Sequence, residues 1–306
     1  ILQSLNKLGL FAFNLVVITF FMIPAVVFFR IKNSKKFLIL SLTSIVFLFS
    51  FIYGETTINN NQKVLTSINT KFNIKVISPN FELEYGLSKD QIIKRFEKLI
   101  RYSAPNKNLK TLFVWPEGVF SGYSYEELTI LKESFIKNFG DNHYILFGVN
   151  RADENKQGLY NSLIVVNKQF EIIKEYKKQK LVPFGEFLPL ENLLNKFGLK
   201  KITEGHGSFL KGGKQENIII DDLNILPLIC YEIIFSNFIQ KSNKDTNLII
   251  NISEDGWFGN SIGPHQHFAK GIFRSIEQDS FFIRSANKGI SAVVNNKGII
   301  VKSLNA

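Results

Sequence analysis

Two different patterns of hydrophobic positions divide the chain. From Leu8 to Phe29 there are 22 residues without a charge, LGLFAFNLVVITFFMIPAVVFF. At about 1.5 Å per residue a helix of that length reaches roughly 33 Å, enough to cross a hydrocarbon core. A second uncharged run, Phe37 to Tyr53, has 17 residues, at the short end of the spanning range of about 17 to 25. Residues 1–54 therefore read as two transmembrane helices, at about 8–29 and 37–53, forming a hairpin. The second run also has the length of a buried core helix or a re-entrant segment.

Past Gly54 the period changes. Lys71 to Ile77 alternates as a strand does, and Ser88-Lys89-Asp90-Gln91 is a capping box for a helix that places Ile92, Phe96, Leu99 and Ile100 on one face. Thr111 to Trp115 reads as a buried strand, and Ser124-Tyr125-Glu126-Glu127 caps an amphipathic helix through about Phe139. Strands are expected at 144–149, 159–166, 170–176, near 217–220, at 224–229 and at 247–252. A loop punctuated by Pro and Gly spans 180–190, and a helix should come after Cys230. A helix over 264–279 precedes closing strands at 281–286, 290–294 and 298–301. Strands and helices mixed without a repeat predict one α/β domain over 55–306.

Charge sharpens the N-terminal reading. The 306 residues carry a formal +11, yet residues 1–54 hold Lys7, Arg30, Lys32, Lys35 and Lys36 and no acid. Four of these cations lie in the short connection between the apolar runs, as expected of a cytoplasmic loop, so the domain after Gly54 should lie outside the cytoplasm. A signal peptide fits poorly, because the first run is long, contains Pro24 and is followed by a second. The chain starts at Ile1 and stops at Asn305-Ala306, so it reads as a fragment whose membrane helices at either end are missing. Elsewhere the basic residues are interleaved with acids and no nucleic-acid-binding motif occurs, so no nucleic-acid partner is expected. The single cysteine excludes an internal disulfide, a C-x-x-C redox pair and a multi-cysteine zinc site.

Reactive side chains gather where strands stop, the usual place for chemistry on an α/β sheet. Glu117 comes just after the strand Phe113-Val114-Trp115, the cluster Lys177-Lys178-Gln179-Lys180 comes after another, and Cys230 ends the apolar run Leu226 to Ile229. A cysteine opening a helix can be activated by that helix N-terminus or by a neighbouring base. Taken one at a time, Cys230 could equally be a small core residue, Glu117 a helix cap, and Lys178 one of a solvated basic cluster. Gly259-Asn260-Ser261-Ile262-Gly263 matches the G-x-S-x-G pattern of serine hydrolases, but His265 and His267 come immediately after it and no later histidine exists to complete a triad. The same two histidines lack a clear third metal ligand.

In combination, these stretches resemble the nitrilase superfamily and, within it, the apolipoprotein N-acyltransferases. The resemblance covers roughly Ile74 to Val301. It rests on Trp-Pro-Glu at 115–117, Leu-Val-Pro-Phe-Gly-Glu-Phe at 181–187, Ile-Cys-Tyr-Glu at 229–232, Asp-Gly-Trp-Phe-Gly-Asn-Ser-Ile-Gly-Pro-His-Gln-His at 255–267 and Arg-Ser-Ala-Asn-Lys-Gly-Ile-Ser-Ala-Val at 284–293. It implies an α-β-β-α sandwich and a triad in which Cys230 is the nucleophile and Glu117 the general base. The family's spacing to Glu186 makes Lys178 the catalytic lysine, with Lys177 and Lys180 as the competing choices. Glu186, Tyr231, Glu232 and Trp257 match supporting or substrate-binding positions. The chain departs from the family at Gly118-Val119, at Lys180, where His is frequent, and at Glu254, where Asn is frequent. The implied reaction carries an acyl chain from a phospholipid, through a Cys230 thioester, to the amine of a diacylglyceryl apolipoprotein. The implied setting is the bacterial inner membrane, multi-pass, with the domain on the periplasmic side and no cofactor or metal. The nearest alternative is a membrane-tethered amidase using the same triad on water.

Overall fold

The computed structural model describes residues 1–65, 72–153, 155, 158–190, 208–214, 216–239 and 246–305. Two sheets form the centre. The first runs in the order β1 (Asn73–Val76), β2 (Thr111–Val114), β3 (His143–Ala152), β4 (Leu159–Val166) and β5 (Ile172–Lys177), parallel from β1 to β3 and antiparallel after that. The second contains β6 (Ile218–Ile220), β7 (Leu223–Ile229), β8 (Leu248–Glu254), β9 (Phe281–Asn287), β10 (Ser291–Val294) and β11 (Ile300–Leu304). Its strands lie in reverse numerical order, with β7, β8 and β9 parallel.

Side-chain alternation explains the stacking. In β2 all four residues are buried, because Leu112 and Val114 face the second sheet while Phe113 faces the outside helices. Between the sheets, Leu112, Val114, Leu146 and Val165 meet Ile225, Ile229, Ile250 and Ile252. The helices α3 (Lys89–Ser103) and α4 (Lys132–Asn138) cover the first sheet, burying Ile92, Phe96, Leu99 and Phe135 against it. A short helix α5 (Ser236–Ile239) and the longer α6 (Gly263–Gln278) cover the second with Ile239 and Phe268. The result is the expected α-β-β-α order of layers.

The capping box at Ser88 opens α3 as predicted: the Ser88 hydroxyl accepts the Gln91 N–H at 3.3 Å and the Gln91 side chain accepts the Ser88 N–H at 2.8 Å. Two helix expectations need correction. The segment after Ser124 is a 3-10 helix over Tyr125–Leu131 before α4 begins, and β7 runs into a five-residue 3-10 turn, Cys230–Ile234, rather than an α-helix. The predicted strand start at Lys71 lies outside the described residues, as do Glu191 to Gly207.

Two apolar helices precede the sandwich. α1 covers Leu5–Met22 and continues as a 3-10 helix over Ile23–Phe28, where Pro24 sits in the first turn. α2 covers Asn33–Leu65 and so runs well past the uncharged stretch. Both are long and apolar enough to cross a membrane, at 27 residues over Leu2–Phe28 and 29 over Asn33–Asn61, with almost none of their surface buried by protein. The base of α1 is the exception: Leu5, Leu10 and Phe13 pack against Ile276 of α6.

Candidate active site

Three strand ends deliver three side chains to one cavity of about 660 Å³, whose walls include Glu117, Lys178 and Cys230. Glu117 is placed by the fully buried Trp115, which packs among Phe96, Phe120, Phe135 and Phe147 and donates from its indole N–H to the Ser103 hydroxyl at 3.0 Å. The chain then turns at Gly118, whose φ of +73° and whose approach to Glu254 leave no room for a Cβ, which would lie 2.9 Å from the Glu254 carboxylate.

Lys178 comes directly after the last residue of β5, and alternation decides which lysine enters the site. Lys178 is 1% exposed, with its Nζ 2.8 Å from Glu186 Oε1 and 3.5 Å from Glu117 Oε1. Its neighbour Lys177 lies over the Tyr160 ring at 4.2 Å, and Lys180 over Phe235 and Phe238. Asn161, which no sequence motif marks, joins both carboxylates: its Nδ2 donates to Glu117 and to Glu186 at 2.8 Å each. Glu186 is held in turn by the Val182 N–H at 2.9 Å. Burial works against the Lys178 ammonium, but the charges of Glu117 and Glu186 outweigh it and raise its pKa.

Cys230 directly follows β7 with φ of 47°, a left-handed conformation that costs a non-glycine residue roughly 1–3 kcal/mol and requires the surroundings to impose it. Glu232 is central to that. It is fully buried, outside the cavity, and accepts from the Tyr176 hydroxyl and the Gln179 and Lys180 N–H groups on one oxygen and from the Ile229 N–H on the other, at 2.8 to 3.0 Å. One carboxylate thus ties the end of β5, which carries Lys178, to the turn that carries Cys230. Burial raises its pKa.

The thiol is not activated as a helix N-terminus would do it. Burial, then the nearby Glu117 charge, push the Cys230 thiol up, against the opposing Lys178 charge and a hydrogen bond with Ser253. A five-residue 3-10 turn provides little dipole to counter this. Burial and the Glu117 charge thus favour the thiol over the thiolate, and Glu117, on the wall of the same cavity, is the candidate base.

Tyr231 and Trp257 line the same cavity, with Trp257 half exposed beside Tyr85. Glu254 lines it as well: its backbone N–H donates to Glu117 Oε2 at 3.0 Å, and burial together with the Glu117 charge pushes its carboxyl up to about 8. Beside Cys230 sits a buried cluster of Asp255, His267 and Arg284, of which His267 also lines the cavity. Along the sequence these residues belong to two separate motif stretches, and nothing in their spacing shows that they meet. His267 is buried while His265, two positions earlier on the helix, is exposed, so the pair cannot share a metal, and among the described residues no group of three or more His, Cys, Asp or Glu side chains could hold one. Ser261 is exposed and accepts the Gly263 N–H at the start of α6.

An α-β-β-α sandwich with cysteine, glutamate and lysine converging from strand ends defines a class of thiol enzymes acting on acyl groups. The chain belongs to the carbon-nitrogen hydrolase family, whose model matches residues 79–306. It is 34% identical over 241 residues to an apolipoprotein N-acyltransferase of Rhizobium leguminosarum bv. trifolii, covering 76% of this chain and 45% of that protein. It is 30% identical over 312 residues to the apolipoprotein N-acyltransferase of Rickettsia prowazekii, covering 100% of this chain and 60% of that one. The chain thus spans about half the length of these relatives. Among solved structures, a CN-hydrolase superfamily protein of Xanthomonas campestris superposes with a TM-score of 0.55 at 15% identity, covering 76% of this chain and 85% of that one. Nit3 of Saccharomyces cerevisiae, a nitrilase superfamily member, has a TM-score of 0.55 at 15% identity, with coverage of 78% and 89%. These two likenesses establish the fold.

Proposed function

We propose that the chain is the catalytic part of an N-acyltransferase that matures bacterial lipoproteins. The observation that carries this reading is the convergence of Glu117, Lys178 and Cys230 on one largely apolar cavity. In the first step Glu117 takes the Cys230 proton as sulfur attacks the ester carbonyl of a phospholipid. The oxyanion is held by Lys178 and a backbone N–H near Tyr231, an effect commonly worth about 3 kcal/mol per donor. The carbon–oxygen bond then breaks, and Glu117 returns the proton to the departing lysophospholipid oxygen. In the second step the α-amino group of a diacylglyceryl-cysteine attacks the thioester, Glu117 accepts its proton, and the thiol is regenerated by that proton. Glu186, Glu232 and Asn161 position the lysine and the nucleophile, and Tyr231 and Trp257 border the path of the acyl chain.

A thioester needs protection from water. Trp257 and Phe258 on the cavity wall are substantially exposed, as are Phe184 and Ile262, chain neighbours of the wall residues Pro183, Gly185 and Gly263, which suits contact with lipid. In the proposed arrangement α1 and α2 cross the inner membrane of a bacterium, the basic segment Arg30 to Lys36 stays in the cytoplasm, and the sandwich works on the periplasmic side. Similarity to the Rickettsia N-acyltransferase extends over the helices as well as the sandwich, which supports a transferase over a membrane-tethered amidase.

Incubation with phospholipid labelled in its acyl chains should leave label on Cys230 that hydroxylamine releases, and Cys230→Ala should abolish both adduct and transfer while the protein stays folded and in the membrane. Label transferred at the normal rate by the Ala variant would overturn the mechanism. Fatty acid or amide turnover without any lipid adduct would favour the amidase instead.

A further inference from the structure

The buried cluster beside the nucleophile, whose His267 also lines the cavity, has no part in the two steps above, yet it touches the backbone of Cys230 itself. His267 Nε2 lies 3.0 Å from the carbonyl oxygen of Cys230, and Asn251 Nδ2 reaches the same oxygen at 3.4 Å. On its other side the ring places Nδ1 3.1 Å from Asp255 Oδ1 and 2.9 Å from Arg284 Nη2. Arg284 also donates to both oxygens of Asp255 at 2.8 Å, and both residues are completely buried. A carbonyl oxygen can only accept, so Nε2 carries a proton whether the ring is neutral or charged. Charged groups sealed from water are costly, and this set serves to orient one imidazole.

The peptide from Cys230 to Tyr231 is trans, as are all others in the described chain. In a trans peptide the C=O and the next N–H point in opposite directions across one rigid plane. Holding the Cys230 oxygen against His267 therefore fixes the direction of the Tyr231 N–H. That N–H lies in the first turn of the 3-10 helix, where no intrahelical carbonyl is available to it. Cys230 and Tyr231 both border the cavity. We propose that His267, oriented by Asp255 and Arg284, is a positioning residue that aims the Tyr231 N–H at the oxyanion formed when Cys230 attacks an acyl carbonyl. The proposal rests on the acyl-transfer reading of the site and adds how its backbone donor is held against rotation about ψ of Cys230 and φ of Tyr231.

The full chain in detergent, reacted with a p-nitrophenyl ester of a long-chain fatty acid, reports acylation of Cys230 as a burst of p-nitrophenolate. Iodoacetamide reports the same thiol by a displacement that forms no oxyanion. His267→Leu should slow the burst about 10- to 100-fold while leaving the alkylation rate unchanged, the signature of a lost oxyanion donor. His267→Gln, whose amide N–H can reach the same carbonyl, should recover most of the burst rate. An unchanged burst in His267→Leu, a fall in alkylation that parallels the burst, or a Gln variant as slow as the Leu variant would each overturn the proposal. A wild-type chain that gives no burst would instead overturn the acyl-transfer reading, and this inference with it.

Discussion

Glu254 shows how a residue can be visible in the sequence while its behaviour is not. As a carboxylate two positions beyond an apolar run it looks like a strand-end polar group. In the fold it lies beside Glu117, accepts from the Gly256 N–H and the Asn287 side-chain amide, and titrates near 8, against 4.5 when unperturbed. The raised value fixes the sign of its pH dependence. Below about 4.5 the group is protonated in both folded and unfolded chains; as pH rises the unfolded chain releases its proton first, so this part of the stability is lost until pH passes 8. Glu254→Gln cannot ionise. Its melting temperature relative to wild type should therefore climb between about pH 5 and 8 and level off above about 9, whatever constant loss the missing acceptor brings. Parallel melting curves across that range would show that Glu254 is not the group that titrates.

Among the elements, α1 departs most from its sequence pattern. A charge-free run reads as one uniform span, but Gly9 has φ of 72° and ψ of 167°, a region almost closed to other residues. The break frees the Leu10 N–H to donate to Glu277 Oε1 of α6 at 2.8 Å, and Glu277, itself buried, also accepts from the Ser236 hydroxyl and pairs with Arg274. Asn6 Nδ2 adds a bond to the Ile276 carbonyl at 3.1 Å. One face of the first turns of α1 is thus part of the outer helical layer, while Leu8 and Phe11 on the other remain exposed. Gly9→Ala should cost roughly 1–3 kcal/mol, and hydrogen exchange should quicken at Leu10 and along the C-terminal turn of α6. Exchange unchanged at Leu10 would mean that the glycine is not what holds this joint.

Across the whole molecule, the basic turn and the catalytic layers lie at opposite ends of the helix pair. The chain start meets α2 at Gly54, where a Cβ would come 3.0 Å from the Ile1 nitrogen, and Asn61 Nδ2 donates to Asn296 Oδ1 at 2.9 Å, so the far end of α2 touches the sandwich. If the helices cross a bilayer, the cations from Arg30 to Lys36 and the cavity are on different sides of it. The lone cysteine makes this testable: with Cys230→Ala as background, Ser34→Cys should react with a membrane-impermeant maleimide only after the inner membrane is opened. Labelling in intact spheroplasts would reverse the topology. The sequence alone determined the α/β class, the apolar hairpin and the three strand ends that carry Glu117, the lysine cluster and Cys230, because periodicity, charge-free length and motifs are local properties. It could not decide which of Lys177, Lys178 and Lys180 enters the cavity, whether the surroundings favour the Cys230 thiol or thiolate, or that Asp255, His267 and Arg284 meet beside it. Those outcomes depend on strand register, on burial and on contacts between residues far apart in the chain, which exist only once the two sheets have stacked.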